Sequence, residues 1–319
     1  MNEKTMKQIE ELKSQKYGVE IEMYNITREK AAKTAAEFFG TGRYESTEHI
    51  HGYRAWSAWD SQGREWMFER DCSIIAKNDL ERCEMVTPIL VYSDMEMLQE
   101  LVRQLRHAGG KSDPEHMCGV HCHVDGAGHT PQSLRNMANL MASHEEIILT
   151  ALRIDRSRIG EYCRTVDPDF IRRLNKEKPK TMAKLADIWY EECGGGGRRD
   201  IHYERSRYHC LNYHSFFTHA NVEFRYMNFE SPSAEKRGGL HAGRLKAFIQ
   251  LCLGISAEAK RLRTASPKQP QLENPKFAMR TWLMRLGFIG EEFATAREIL
   301  TRNLAGDAAF RFGRSTPSA

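Results

Sequence analysis

From Tyr17 to Tyr24 the apolar residues Val19 and Ile21 alternate with Glu20 and Glu22, the period-two pattern of a strand whose second face carries two carboxylates. Thr27 to Phe39 then predicts an alanine-rich helix stopped by Gly40. The stretches Tyr53 to Trp59 and Arg64 to Phe68 flank Asp60-Ser61-Gln62-Gly63, the composition of a hairpin turn. Arg82 to Leu90 reads as another strand. Ser93 and Glu96 have the spacing of a capping box for a helix carrying Leu98, Leu101, Val102 and Leu105, which Gly109-Gly110 ends.

Gly119 to Asp125 is a further short strand, after which Thr130 and Pro131 open a helix with Leu134, Met137, Ala138, Met141, Ile148 and Leu152 on its buried stripe. Asp167 to Cys193 is helical but charged and stops at Gly194-Gly195-Gly196-Gly197, whose backbone is costly to order. A late strand, Ala220 to Tyr226, precedes a long helix from Ser233 to Arg263 with Phe248, Leu251, Cys252 and Ile255 inward. Ser266 to Pro270 is a linker, followed by a final helical region and a frayed tail from Gly313 to Ala319. Strands separated by helices and joined in part by hairpins predict an α+β fold, mostly antiparallel, with helices backing the sheet. No internal repeat is visible.

Composition narrows the class. Lys and Arg number 47 against 43 Asp and Glu, and the resulting +4 is too near balance for a protein that binds nucleic-acid backbones. Met1 to Lys16 lacks the continuous apolar run of an export signal, and the most apolar stretch, Ala247 to Ile255, is far short of the ~18 residues of a membrane span. A cytoplasmic protein without a disulfide framework is the expectation for its eight cysteines.

Chemistry concentrates on three strands. Glu20 and Glu22 lie two residues apart and share a face, where they can share a hard divalent cation. In Gly119-Val120-His121-Cys122-His123 the same alternation puts two imidazoles on one face, suited to metal or phosphate. In Val222-Glu223-Phe224-Arg225 an acid and an arginine do likewise. Each pattern alone also describes an ordinary polar strand face or a structural ion pair. A sheet uniting the three would collect three acids, two histidines and an arginine on one surface. Asp71, in Glu69-Arg70-Asp71-Cys72-Ser73, and Glu84, in Cys83 to Pro88, are further candidates, as are Arg207 and Asn212 before the late strand.

In this order, Tyr17 to Glu22, Glu84 to Pro88, Gly119 to His123, Arg207 to Asn212 and Val222 to Arg225 resemble the amidoligase family. That family is grouped with glutamine synthetase and glutamate-cysteine ligase, whose catalytic fold is an antiparallel sheet lined with metal-binding acids. The resemblance runs from about Tyr17 to about Arg263, and the chain departs from it at Cys72, where glycine commonly follows the aspartate. It leaves the C-terminal region unexplained, and the length of the chain favours a catalytic domain over residues 1–265 with a helical extension, 266–319, packed on the same domain. The resemblance implies an ATP- and Mg²⁺-dependent ligase that joins small-molecule or peptide carboxylates and amines through an acyl phosphate.

By that resemblance Glu20, Glu22, Glu223 and His123 hold Mg²⁺, while His121, His123, Arg207 and Asn212 contact the nucleotide. Arg225 and Arg207 offset charge on the migrating phosphoryl group, and Asp71 and Glu84 bind metal or orient the amine. The Gly194 to Gly197 loop, with Arg198 and Arg199, has the composition of a lid. Two alternatives stay open on the residues themselves: a zinc-dependent hydrolase using His121 and His123, and a non-enzymatic binding module.

Overall fold

The acidic alternation folds as strand β1 (Tyr17–Met23), with Tyr17, Val19, Ile21 and Met23 buried on one side and Glu20 and Glu22 on the other. The structure, a computed structural model, describes residues 3–195, 199–232, 238–270 and 273–312. The chain forms two compact units. One, the sheet unit, comprises Lys16–His123 and Arg225–Lys246; the other, the helical unit, comprises Met1–Gln15, Val124–Phe224 and Ala247–Ala319.

In the sheet unit, β2 (Tyr44–Ser46), β3 (Trp56–Trp59), β4 (Glu65–Glu69) and β5 (Cys83–Val86) lead to β1, followed by β6 (Val120–Asp125). The end of β8 (Asn221–Met227) that starts at Arg225 continues the order beyond β6. The pairs β2/β3, β3/β4, β4/β5 and β5/β1 are antiparallel. The expected hairpin forms, with Trp59 opposite Glu65 and Asp60 accepting from the backbone of Gln62 and Arg64. Strand β5 stops at Val86, short of the expected Leu90, because Pro88 has no N–H to offer the ladder; pairing resumes only in a bridge between Tyr17 and Leu90.

Helix Arg28–Phe38 is capped by Thr27, whose hydroxyl accepts from Lys30 N, and lays buried Ala31, Ala32, Ala35 and Ala36 against β2, β3 and β4. Helix Met95–His107 buries Leu98, Leu101, Val102 and Leu105 as the periodicity predicts. Its cap differs from the expected Ser93 and Glu96 box. A 3₁₀ turn, Tyr92–Asp94, precedes the helix, and the Asp94 carboxylate accepts from Val91 N at 2.9 Å. Asp94 also takes a two-pronged hydrogen bond from Arg64, which donates through Nε to Asp60 at 2.8 Å. Burial opposes the Asp60 charge, but bonds from Trp66 and Arg64 hold its carboxyl below the usual range.

In the helical unit, Thr130 and Pro131 start helix Pro131–Ala151 as expected. The charged stretch after Asp167 is two helices, Pro168–Glu177 and Met182–Cys193, split where Lys178 takes a positive φ of 48° before Pro179. Short β7 (Leu211–Asn212) pairs antiparallel with the Asn221–Phe224 end of β8, Asn212 lying opposite Glu223. The late helix runs Ala242–Arg261 with Phe248, Leu251, Cys252 and Ile255 fully buried; Ser233 to Arg237, expected as its first turns, lie outside the described residues. The C-terminal region is helical, with Pro275–Arg285 packed on Ala294–Arg302. The tail from Gly313 lies outside the described residues. Among those described, no helix is long and apolar enough to cross a membrane. All eight cysteines are free thiols, and Cys72 alone is exposed.

Arg64 holds two carboxylates that are almost wholly removed from solvent. Arg64→Met strands both charges, and urea unfolding of that variant is expected to show a loss of about 3 kcal/mol or more.

Candidate active site

Register brings the acids together. Glu69 on β4 lies opposite Glu84 on β5, and Glu84 lies opposite Glu22 on β1, so three carboxylates form one row across three strands. Glu20, two residues before Glu22, shares their face. Asp71, just past β4, is aimed by an Asx turn in which its Oδ1 accepts from Ser73 N at 2.6 Å. Glu22 is fixed by Gly119, the residue before β6, whose N donates to its carboxylate and whose O accepts from Glu22 N at 3.1 Å.

Both histidines of β6 turn to β1. His121 Nδ1 lies 2.8 Å from Glu20 Oε2, and His123 Nε2 lies 3.1 Å from Glu20 Oε1. A carboxylate cannot donate, so the His121 hydrogen sits on Nδ1, and its Nε2 lies 3.8 Å from Glu22 Oε1. Cys122 alternates to the opposite face, fully buried beside Tyr17, and Cys118 donates to His116 O. Neither thiol joins the acids, so the donors are oxygen and imidazole without sulfur.

Within the described residues of the sheet unit two sets of potential ligands result, Glu20 with Glu84 and His121, and Glu22 with Asp71 and Glu84. Within each set the ligand atoms lie within 4.8 Å of one another, and Glu84 belongs to both. Like charges about 4 Å apart repel by roughly 4 kcal/mol at an effective dielectric constant of ~20. The titration behaviour follows. Burial, then the charges of Glu20 and Glu22, push Glu84 well above the usual carboxylate range. Burial and Glu20 push Glu69 up to about 7. Burial opposes ionisation of Glu20 too, but His123 and the bonds from both histidines hold it well below the usual range.

The remaining expected residues distribute between the units. Arg225 is buried in the sheet unit, at its part of β8. In the helical unit, Asn212 Nδ2 donates to Glu223 Oε2 at 2.6 Å, both side chains buried. Arg207 lies over the rings of Tyr203 and Tyr208 and donates to His202 O at 3.0 Å. Of the expected lid, Gly196, Gly197 and Arg198 lie outside the described residues. Gly195 N is tied to Glu204 at 3.3 Å, and Arg199 pairs with Asp187 at 2.6 Å. Glu69 is the member of the acid row that sequence reading passes over. Its signal is its parity with Asp71, but only strand register shows that it faces Glu84.

An oxygen-rich set with one or two imidazoles fits a hard divalent cation such as Mg²⁺, and positive charge there offsets the repulsion that keeps Glu84 and Glu69 protonated. Because a raised carboxyl stabilises the fold only while it holds its proton, the contribution of Glu69 to metal-free stability is expected to fall as pH rises from about 4.5 through 7. The difference in thermal melts between the wild type and Glu69→Gln across that range should show the decline, and MgCl₂ should raise the melting temperature more at pH 8 than at pH 5.

Residues 13–256 match the family described as "Putative amidoligase enzyme". No curated protein matches the chain. Among solved structures, a bifunctional glutathione synthetase from Pasteurella multocida aligns over 95% of this chain and 49% of its own, at 12% identity and a TM-score of 0.42. The chain thus spans about half the length of that structure.

Proposed function

Because the chain belongs to the amidoligase family, we propose that it is an ATP- and Mg²⁺-dependent ligase joining a carboxylate to an amine, built on a glutamine synthetase-like core. The observation that carries this reading is the convergence of Glu20, Glu22, Asp71, Glu84 and His121 into two ligand sets that share Glu84. Magnesium bound there would neutralise phosphate oxygens during transfer of a phosphoryl group to the substrate carboxylate, and amine attack on the acyl phosphate would then form the amide. In this reading residues 1–265 are the catalytic domain and 266–319 its helical extension, in a cytoplasmic enzyme.

The protein's own part is to position and to balance charge. Glu20, Glu22 and Glu84 hold cations on a rigid row set by strand register, and Glu20 fixes the orientation of His121 by accepting its Nδ1 hydrogen. His123 and Glu223 complete the metal and nucleotide contacts, with Asn212 orienting the Glu223 carboxylate. Arg225 and Arg207 serve the migrating phosphoryl group. Asp71 and Glu69 are the acids that face an incoming ammonium, and Glu69, with its affinity for a proton near pH 7, is suited to take one from it. The substrates are small molecules or peptides.

Thermal stabilisation by ATP tests the reading without knowledge of the substrates. ATP with MgCl₂ is expected to raise the melting temperature by several degrees, and neither alone should match it. Glu20→Ala/Glu22→Ala should abolish the effect, and ADP release should then be screened with carboxylate and amine pairs. A folded wild-type protein that ignores millimolar MgATP, yet purifies with stoichiometric zinc, would be a zinc-site protein and not this ligase.

A further inference from the structure

Helix Pro275–Arg285 carries Trp282, only 4% exposed, whose indole Nε1–H has no hydrogen-bond acceptor among the described residues. An unmade buried donor costs about 1–3 kcal/mol, and native proteins retain few of them. Trp282 lines a cavity of about 490 Å³, within the size range of small-molecule sites. Every lining residue except His144 follows position 256, beyond the part of the chain that matches the amidoligase family.

The wall is chemically specific. His144 stacks on the indole with ring centroids 3.9 Å apart and an interplanar angle of 16°. Its Nδ1 lies 3.0 Å from the Leu140 carbonyl, which can only accept, so the hydrogen is on Nδ1 and Nε2 is an acceptor. Burial pushes this imidazole down to about 4, which keeps it neutral near pH 7. Arg285 and Arg311 line the same cavity against a single carboxylate, Glu273, leaving it net positive. Arg285 forms no ion pair with any described acid. Trp282, the guanidinium forks of Arg285 and Arg311 and the hydroxyl-bearing Thr281 line one space.

We propose that this cavity binds a small organic anion, whose carboxylate or phosphate group pairs with Arg285 and Arg311 and whose neighbouring acceptor atom takes the Trp282 N–H. The excess of donors over acceptors and the net positive charge select an oxyanion, and the volume limits it to a metabolite-sized molecule. The inference is independent of the ligase reading, since it uses none of the residues on β1, β5 or β6.

Isothermal titration calorimetry with citrate and with glycerol 3-phosphate separates the two sources of oxyanion. One of the probes is expected to bind saturably to the wild type and equally to Glu20→Ala/Glu22→Ala. Trp282→Phe, which keeps the ring but removes the N–H, should weaken that binding about tenfold, the equivalent of one hydrogen bond. Arg285→Gln, at an exposed position whose loss leaves the fold intact, should weaken it tenfold or more. Binding of neither probe at millimolar concentration overturns the proposal. So does binding that survives Arg285→Gln unchanged, or that disappears in Glu20→Ala/Glu22→Ala, which would assign the heat to the acid cluster.

Discussion

Mutual repulsion among Glu20, Glu22, Glu69 and Glu84 is the constraint around which the sheet unit is built. No arrangement of carboxylates this close forms of its own accord, so something else must set the register that opposes Glu22 to Glu84 and Glu84 to Glu69. The neighbouring row on the other face does so. Ile21 opposes Met85 and Met85 opposes Phe68, and all three are fully buried. Burying such side chains contributes about 1.5–3 kcal/mol each, and Val19, Met23, Trp66 and Cys83 extend the same face. Together these outweigh a few repulsions of several kcal/mol, and a one-residue slip would exchange the two faces.

Protons and histidines absorb what remains of the repulsion. Glu84 and Glu69 hold protons more tightly than solvated carboxylates do, whereas Glu20 keeps its charge through two imidazoles. A cation bound at this row would replace those protons, and its binding would then be linked to pH and to stability. Cys122 alternating away from His121 and His123 leaves the donors hard in character, in keeping with magnesium and phosphate chemistry more than with a thiolate zinc site.

The C-terminal helices carry a different kind of information. Asn274 caps Pro275–Arg285 and donates to the carbonyls of Asp307 and Phe310, so the segment is organised in detail by its own polar contacts. Against that background a buried indole donor without an acceptor among the described residues is conspicuous. It lies beside basic side chains in a cavity, where a ligand could complete it, and outside the sheet that the family motifs describe.

By itself the sequence determined the strands that carry Glu20, Glu22, His121, His123, Glu223 and Arg225, because period-two alternation states both the element and the shared face. It likewise determined the helix starts at Thr27 and Thr130, where capping chemistry is local. The tertiary structure alone decided which acids meet. Glu69 enters the row, and Glu84 stands in both ligand sets, through pairing between residues far apart in the chain, to which local periodicity is blind. It also decided that Asp94, and not Ser93, accepts at the start of helix Met95–His107, because Arg64 reaches that carboxylate from the hairpin. The stacking of His144 on Trp282 has the same origin: 138 positions separate the two rings, and only packing of the folded chain brings them face to face.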